Sequence, residues 1–204
     1  MIYFFLLILY YIEYMKYFCF DTEFGGLKKE FSLLTLYGEI LDEELNSIES
    51  IDLKLKPENG MYIISPEALQ VNRINIVEHD KAAISLKEAS ESFRSFISRH
   101  AIAEKLIPLG HNVSIDVKFA KHHLMQPEEW NKYFSFRKMD THSIGLFLSI
   151  SGFLPKFDSY SLKTMAEFFN IPTENLHDAK YDVKTTIEII KKMKNLTKGN
   201  LVNK

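Results

Sequence analysis

The chain has 204 residues, 46% of them hydrophobic and 25% charged, a composition that suits one compact domain with a substantial core and excludes a disordered or fibrous protein. A formal charge of -2 excludes the strongly basic surface of a protein that holds long nucleic acid by its phosphates alone, so any grip on a polynucleotide must be local. Cys19 is the single cysteine, which rules out an intramolecular disulfide and a thiolate-rich zinc site and suits a reducing, cytoplasmic compartment.

Ile2 to Ile12 is an apolar run shorter than the roughly 20 residues a membrane span needs, and it lacks the positive start and small-residue cleavage site of a secretory signal. We expect residues 1–14 to precede a natural start at Met15; a short helix lying on a membrane or partner is the alternative. Tyr17 to Phe20 reads as a buried central strand stopping at Asp21. Gly25 and Gly26 then permit a turn. Phe31 to Ile40 and Ile48 to Leu55 read as two more strands, the second half-exposed by its alternation, so the first three strands form a meander. Pro57 to Gly60 is a turn, and Ser65-Pro66-Glu67 starts a brief helix through Ala68, Leu69 and Val71.

Ser85 to His100 carries apolar residues at helical spacing. Lys105 to Gly110 is an apolar run read as a strand, although Pro108 is unwelcome inside a central one. Ser114 is expected to cap a helix through Val117, Phe119 and Ala120, with a short strand at Arg137 to Asp140 and a helix at Thr141 to Ile150. Helical patterns follow at Ser161 to Phe169 and Ala179 to Met193, then a frayed polar tail over residues 196–204. Strands early with helices interleaved later predict an α/β sheet.

Three segments carry chemistry: Asp21-Thr22-Glu23, His111 to Asp116, and His177 to Asp182. Residues i and i+2 of a strand share a face, so Asp21 and Glu23 can aim at one place. Asp116 lies near a helix start, where the dipole favours a carboxylate. His177 stands five residues before Asp182, at the opening of the last helix. Each segment alone fits a solvated edge, an ordinary first-turn acid or a surface histidine; their joint appearance favours a metal-dependent site.

FDTEFGG, HNVSID and HDAKYD resemble the three exonuclease motifs of the DEDDh family, the DnaQ-like group of proofreading subunits, oligoribonucleases and ribonuclease T. The resemblance extends from about Met15 to Met193, with a domain over residues 15–195. It implies an RNase H-like fold with a mixed five-stranded sheet flanked by helices. Carried over position by position, Asp21 and Glu23 match the first motif, Asp116 the second, and His177 with Asp182 the third. The tyrosine subclass places its base four residues before the last Asp; that position is Asp178, so this chain matches the histidine subclass. Two departures stand out: Phe24-Gly25-Gly26 replaces the usual Thr-Thr-Gly or Thr-Gly, which bears on substrate preference, and Ile115 replaces Phe.

The resemblance implies a 3′-to-5′ exonuclease releasing nucleoside monophosphates, with two divalent ions, magnesium or manganese, suited to hard oxygen ligands. Asp21 is expected to bridge both ions, Glu23 and Asp182 to hold the one beside the attacking water, and Asp116 to support the site directly or through water. His177 is expected to act as general base, an imidazole being able to take a proton near neutral pH. Phe24, Gly25, Ala68, Asn72, Ile74 and Asn112 are candidates for contact with the terminal nucleotide. His111, His79, His122, His123 and His142 are read as structural or surface residues, and the lysines at 180, 184, 191, 192 and 194 as a solvated face. The expected partner is a single-stranded nucleic-acid 3′ end, DNA ahead of RNA, with a DNA polymerase as a further candidate and no membrane. RNA end trimming and a catalytically idle binding module are the alternatives.

Overall fold

A computed structural model describes residues 15–198; the apolar run at 2–12 and residues 199–204 lie outside the described residues. The order is β1 (Tyr17–Phe24), β2 (Leu33–Leu41), β3 (Ser47–Lys56), α1 (Pro66–Asn72), α2 (Ile76–Ala82), β4 (Ile84–Ser85), α3 (Leu86–His100), β5 (Ile107–Gly110), α4 (Ser114–His123), α5 (Pro127–Tyr133), β6 (Met139–Asp140), α6 (Thr141–Ile150), α7 (Leu162–Phe168) and α8 (Ala179–Lys198). The strands form one sheet in the order β4-β3-β2-β1-β5-β6. The β1–β2–β3 meander is antiparallel, and β5 and β6 are added in parallel on the other side of β1.

Alternation along β1 divides the core in two. Phe18 and Phe20 face a cluster with α3, α4 and α5 that includes Phe93, Phe119 and Trp130. Tyr17 and Cys19 face α6, α7 and α8, against Leu148, Met165 and Val183. The result is an α/β sheet covered on both faces, the expected RNase H-like architecture.

The sheet has six strands rather than five because the two-residue strand β4 extends one edge, and an element so short leaves no periodicity to read; β6 falls within the short strand expected at Arg137 to Asp140. The first strand does not stop at Asp21 but runs to Phe24, since β2 pairs with it to the end. Pro108 lies inside β5 after all. Ile107 donates to the Lys16 carbonyl on the β1 side, so by alternation the proline nitrogen faces the other neighbour. There the chain has left the Leu106–Phe134 bridge and not yet reached β6, and no donor is needed.

Ser114 does not cap α4: Val113 occupies the cap position without a side-chain bond, and the Ser114 hydroxyl instead accepts from Lys138 at 2.9 Å. Helices α2 and α5 were not anticipated, although Pro127 in the first turn of α5 is a recognised start signal. The last helix continues past Met193 to Lys198, taking in the first residues of the expected tail. Among the described residues no helix is long and apolar enough to cross a membrane.

Candidate active site

The sheet creates a gap where β1 outruns β5. Their ladder ends at Cys19–Leu109, so beyond Cys19 one edge of β1 is free of that neighbour while β2 continues along the other. Asp21 and Glu23 occupy this stretch and share the face covered by α8. Carboxylate oxygens of Asp21, Glu23 and Asp182 lie within 4.8 Å of one another. The two strand residues and the first turn of the last helix thus meet, whereas Asp116 lies outside this group of three.

Asp116 arrives from the opposite face of the sheet. Its Oδ1 accepts from the Thr22 amide at 2.9 Å and the Thr22 hydroxyl at 2.7 Å, so it closes the free edge of β1 and is buried there. Sequence reasoning passed over Thr22, although its place between the two acids of the first motif puts it on the face opposite them.

Asp182 is half-buried, and its Oδ1 accepts from the His177 amide at 3.2 Å. Asp178, also passed over, caps α8 by accepting from the amides of Lys180 and Tyr181; an Asx residue ahead of a helical run was the available signal. His177 holds φ at 76°, a left-handed conformation that costs a residue with a β-carbon some strain and requires surrounding bonds to keep it. Its side chain is exposed.

The electrostatics are those of acids without a counter-charge. Among the described residues none of the four carboxylates enters an ion pair, and burial followed by mutual repulsion pushes their protonation up. Asp21 is driven well above its ordinary value by burial and by Asp116, Glu23 and Asp182. Glu23 rises to about 8, through burial and then Asp182. Asp116 rises to about 7 by burial, against the lowering effect of the Thr22 bonds, and Asp182 to about 6 by burial. A cluster of this kind holds protons at neutral pH unless cations replace them. All-oxygen donors with no competing cation fit divalent ions of the magnesium class.

The other candidates are mostly committed to packing. Phe24 stacks flat on Phe119, centroids 4.3 Å apart. Gly25 donates to Ser32 and accepts from Ser65; a β-carbon there would stand 2.3 Å from the Ile63 carbonyl oxygen. Asn72 is buried and accepts from the Ile74 amide, the Ala68 amide donates to the Ser65 cap, and the Asn112 amide donates to Asp140. These contacts fix the local backbone of the segments that carry the candidates. His79 bonds the Leu55 carbonyl oxygen, and His111 bonds Thr141, as structural histidines do. The lysines of α8 are not uniformly solvated: Lys184 pairs with buried Glu39 and Lys194 with Glu44.

A family model described as Exonuclease (RNase_T) matches residues 18–190. The chain belongs to the exonuclease family. As a family member it is a nuclease, a hydrolase acting on nucleic-acid ends, and the family works with divalent metal ions. Solved structures share the fold. Exonuclease I of E. coli in complex with a dT13 oligonucleotide superposes with a TM-score of 0.71 at 20% identity, over 88% of this chain and 41% of that one. A zinc-ion-bound form of the E. coli ExoI–ssDNA complex gives 0.71 at 19% identity, over 89% and 40%. The moderately thermophilic Exonuclease I of Methylocaldum szegediense gives 0.72 at 20%, over 93% and 41%. This exonuclease chain therefore spans about two fifths of the length of those proteins. No curated protein matches the sequence.

Proposed function

We propose that residues 15–195 form a 3′-to-5′ exonuclease domain that removes nucleoside monophosphates from single-stranded ends, DNA ahead of RNA, with magnesium or manganese held by Asp21, Glu23, Asp182 and Asp116. The observation that carries this reading is the meeting of three carboxylates from β1 and α8 within 4.8 Å, in a chain of the exonuclease family. The oligonucleotide bound by the E. coli neighbour supports DNA, and the zinc form supports a divalent cation.

Bound among these oxygens, two divalent cations offset the acids' charge, stabilise negative charge on the phosphorus oxygens and lower the pKa of the attacking water. The chain's own residues do the rest. Asp21 and Glu23, fixed on a paired strand, hold their oxygens in place without rearrangement. Asp116 commits Oδ1 to Thr22 and, from outside the group of three, is proposed to support the site directly or through water. Asp182 contributes a carboxylate and, through the His177 amide, holds the loop that carries the imidazole. His177 accepts the proton of the water whose oxygen bonds to phosphorus as the bond to the preceding 3′ oxygen breaks.

The test uses 3′-labelled and 5′-labelled single-stranded DNA and RNA with magnesium, manganese or chelator. Expected are release of labelled mononucleotide from the 3′-labelled strand, a descending ladder from the 5′-labelled one, faster turnover of DNA, and silence in chelator. Internal cleavage, attack from the 5′ end or chelator-resistant activity would overturn the proposal, and preference for RNA would overturn its DNA assignment.

A further inference from the structure

With a net charge of -2, the chain can hold a polyanion only where positive charge is gathered, and the outer face of α4 is such a place. Ser114, Lys118, Lys121 and His122 stand at i, i+4, i+7 and i+8, the spacing of one helical face. Asp116, Phe119 and Ala120 fill the opposite face and are buried. The outer face lines an open groove of about 440 Å³ that includes Lys29 and Gln126 and has no carboxylate in its walls. Two other grooves mix signs, one setting Lys56 beside Glu30 and Glu58 and another Arg99 beside Glu49 and Glu91, and a third, at α8, holds Lys192 as its one cation.

Three contacts tie the basic groove to its surroundings, the first being Lys121 Nζ, 5.6 Å from the centroid of the Trp130 ring. Lys118 Nζ reaches the Leu27 carbonyl oxygen at 3.5 Å, joining α4 to the loop that leaves the acid-bearing end of β1. Lys138 Nζ donates to Ser114 at 2.9 Å. Two residues before Lys138 in the chain, Phe136 is 86% exposed, with the Arg137 guanidinium 5.0 Å from its ring centroid. Cationic side chains interleaved with an exposed ring are the elements of a single-strand track, in which charge follows the backbone and an aromatic face takes a base. From Ser114 to His122 the helix rises about 12 Å at 1.5 Å per residue, away from the end that carries Asp116.

We propose that this face of α4 is the path of the single strand upstream of the hydrolysed nucleotide: Lys29, Lys118 and Lys121 hold backbone phosphates, and Phe136 stacks a base. The proposal rests on the exonuclease reading for its direction, whereas the groove's affinity for a strand is measurable without hydrolysis.

The test is the affinity of the full chain for fluorescein-labelled oligothymidylate in chelator, by anisotropy across a salt series. The Lys118→Gln/Lys121→Gln double variant should bind about tenfold more weakly at low salt and lose about 1.4 from the slope of log Kd against log salt, at roughly 0.7 per phosphate contact. The Lys191→Gln/Lys192→Gln pair on α8, equal in charge change, should bind as the wild type. Hydrolysis of p-nitrophenyl thymidine 5′-monophosphate, which reaches only the acid cleft, should be unchanged in the α4 variant. Unchanged affinity and slope, an equal loss in the α8 pair, a parallel loss on the small ester, or a wild type that does not bind oligothymidylate would each overturn the path. A wild type that binds through these lysines but releases no mononucleotide with manganese would uphold the groove and sink the exonuclease reading instead.

Discussion

Two sets of buried acids lie under α8, and the fold treats them oppositely. Glu39 on β2 is only 1% exposed; burial alone pushes its carboxyl up. Lys184 at 2.6 Å and the Tyr37 hydroxyl at 3.0 Å bring it below its ordinary value. On the adjacent strand, Asp21 and Glu23 receive no such partner and are pushed upward together. The same sheet face thus holds one acid whose counter-charge the chain provides and a group whose counter-charge must come from outside. A chain able to neutralise Glu39 leaves Asp21, Glu23 and Asp182 open, and that contrast supports the proposal that they hold a cation rather than form a structural network.

The largest expected break in this comparison is loss of a site acid. Asp21→Ala or Asp182→Ala should lower turnover by roughly 10³-fold or more, the scale of removing a principal electrostatic group, measured as mononucleotide release with manganese. His177→Ala should cost about 10²- to 10³-fold in kcat, as loss of a general base does, with manganese affinity intact. A matching loss of manganese affinity would show that the residue shapes the site rather than moving a proton.

The pH dependence sharpens the contrast. The site acids are raised on folding, so the folded chain binds more protons than the unfolded one between their ordinary values and their raised ones. Stability in chelator should therefore fall as pH rises from about 4.5 towards about 8. Magnesium should flatten that slope, since cation binding keeps the acids ionised. Asp21→Asn should raise the melting temperature in chelator at pH 8.5 by roughly 2–4 °C, although it abolishes activity. Glu39 has the opposite sign: its lowered value stabilises the fold above the ordinary carboxylate range, and this is lost in acid. Lys184→Met should destabilise by about 1–2 kcal/mol at neutral pH, less than for a fully buried pair because the lysine is half exposed, read from urea denaturation.

The sequence carried the site's identity further than its geometry. Asp21 and Glu23 were legible because a strand's period of two is a local property, and Asp182 because it opens a long helix with a clear apolar stripe. Asp116 was legible as a residue but not as a geometry, since its bonds to Thr22 depend on α4 meeting the free edge of β1, a tertiary event. The meander and long helices followed from hydrophobic period, whereas the two-residue strand β4 owes its existence to its neighbour β3 rather than to its own residues. Lysines on α8 drew attention by their density, but Glu39 and Glu44 claim two of them. Lys118 and Lys121 passed unmarked because their groove needs Lys29, which is distant along the chain.

We propose that the carboxylates of β1 and α8 form one cation site. This is tested most directly by titrating manganese into the full chain at pH 8 and following free metal by electron paramagnetic resonance. Saturable binding is expected in the wild type, abolished by both Asp21→Asn and Asp182→Asn and retained by Lys184→Met and the α4 lysine variant. No saturable binding, or binding that survives in both carboxylate variants, would contradict the proposal.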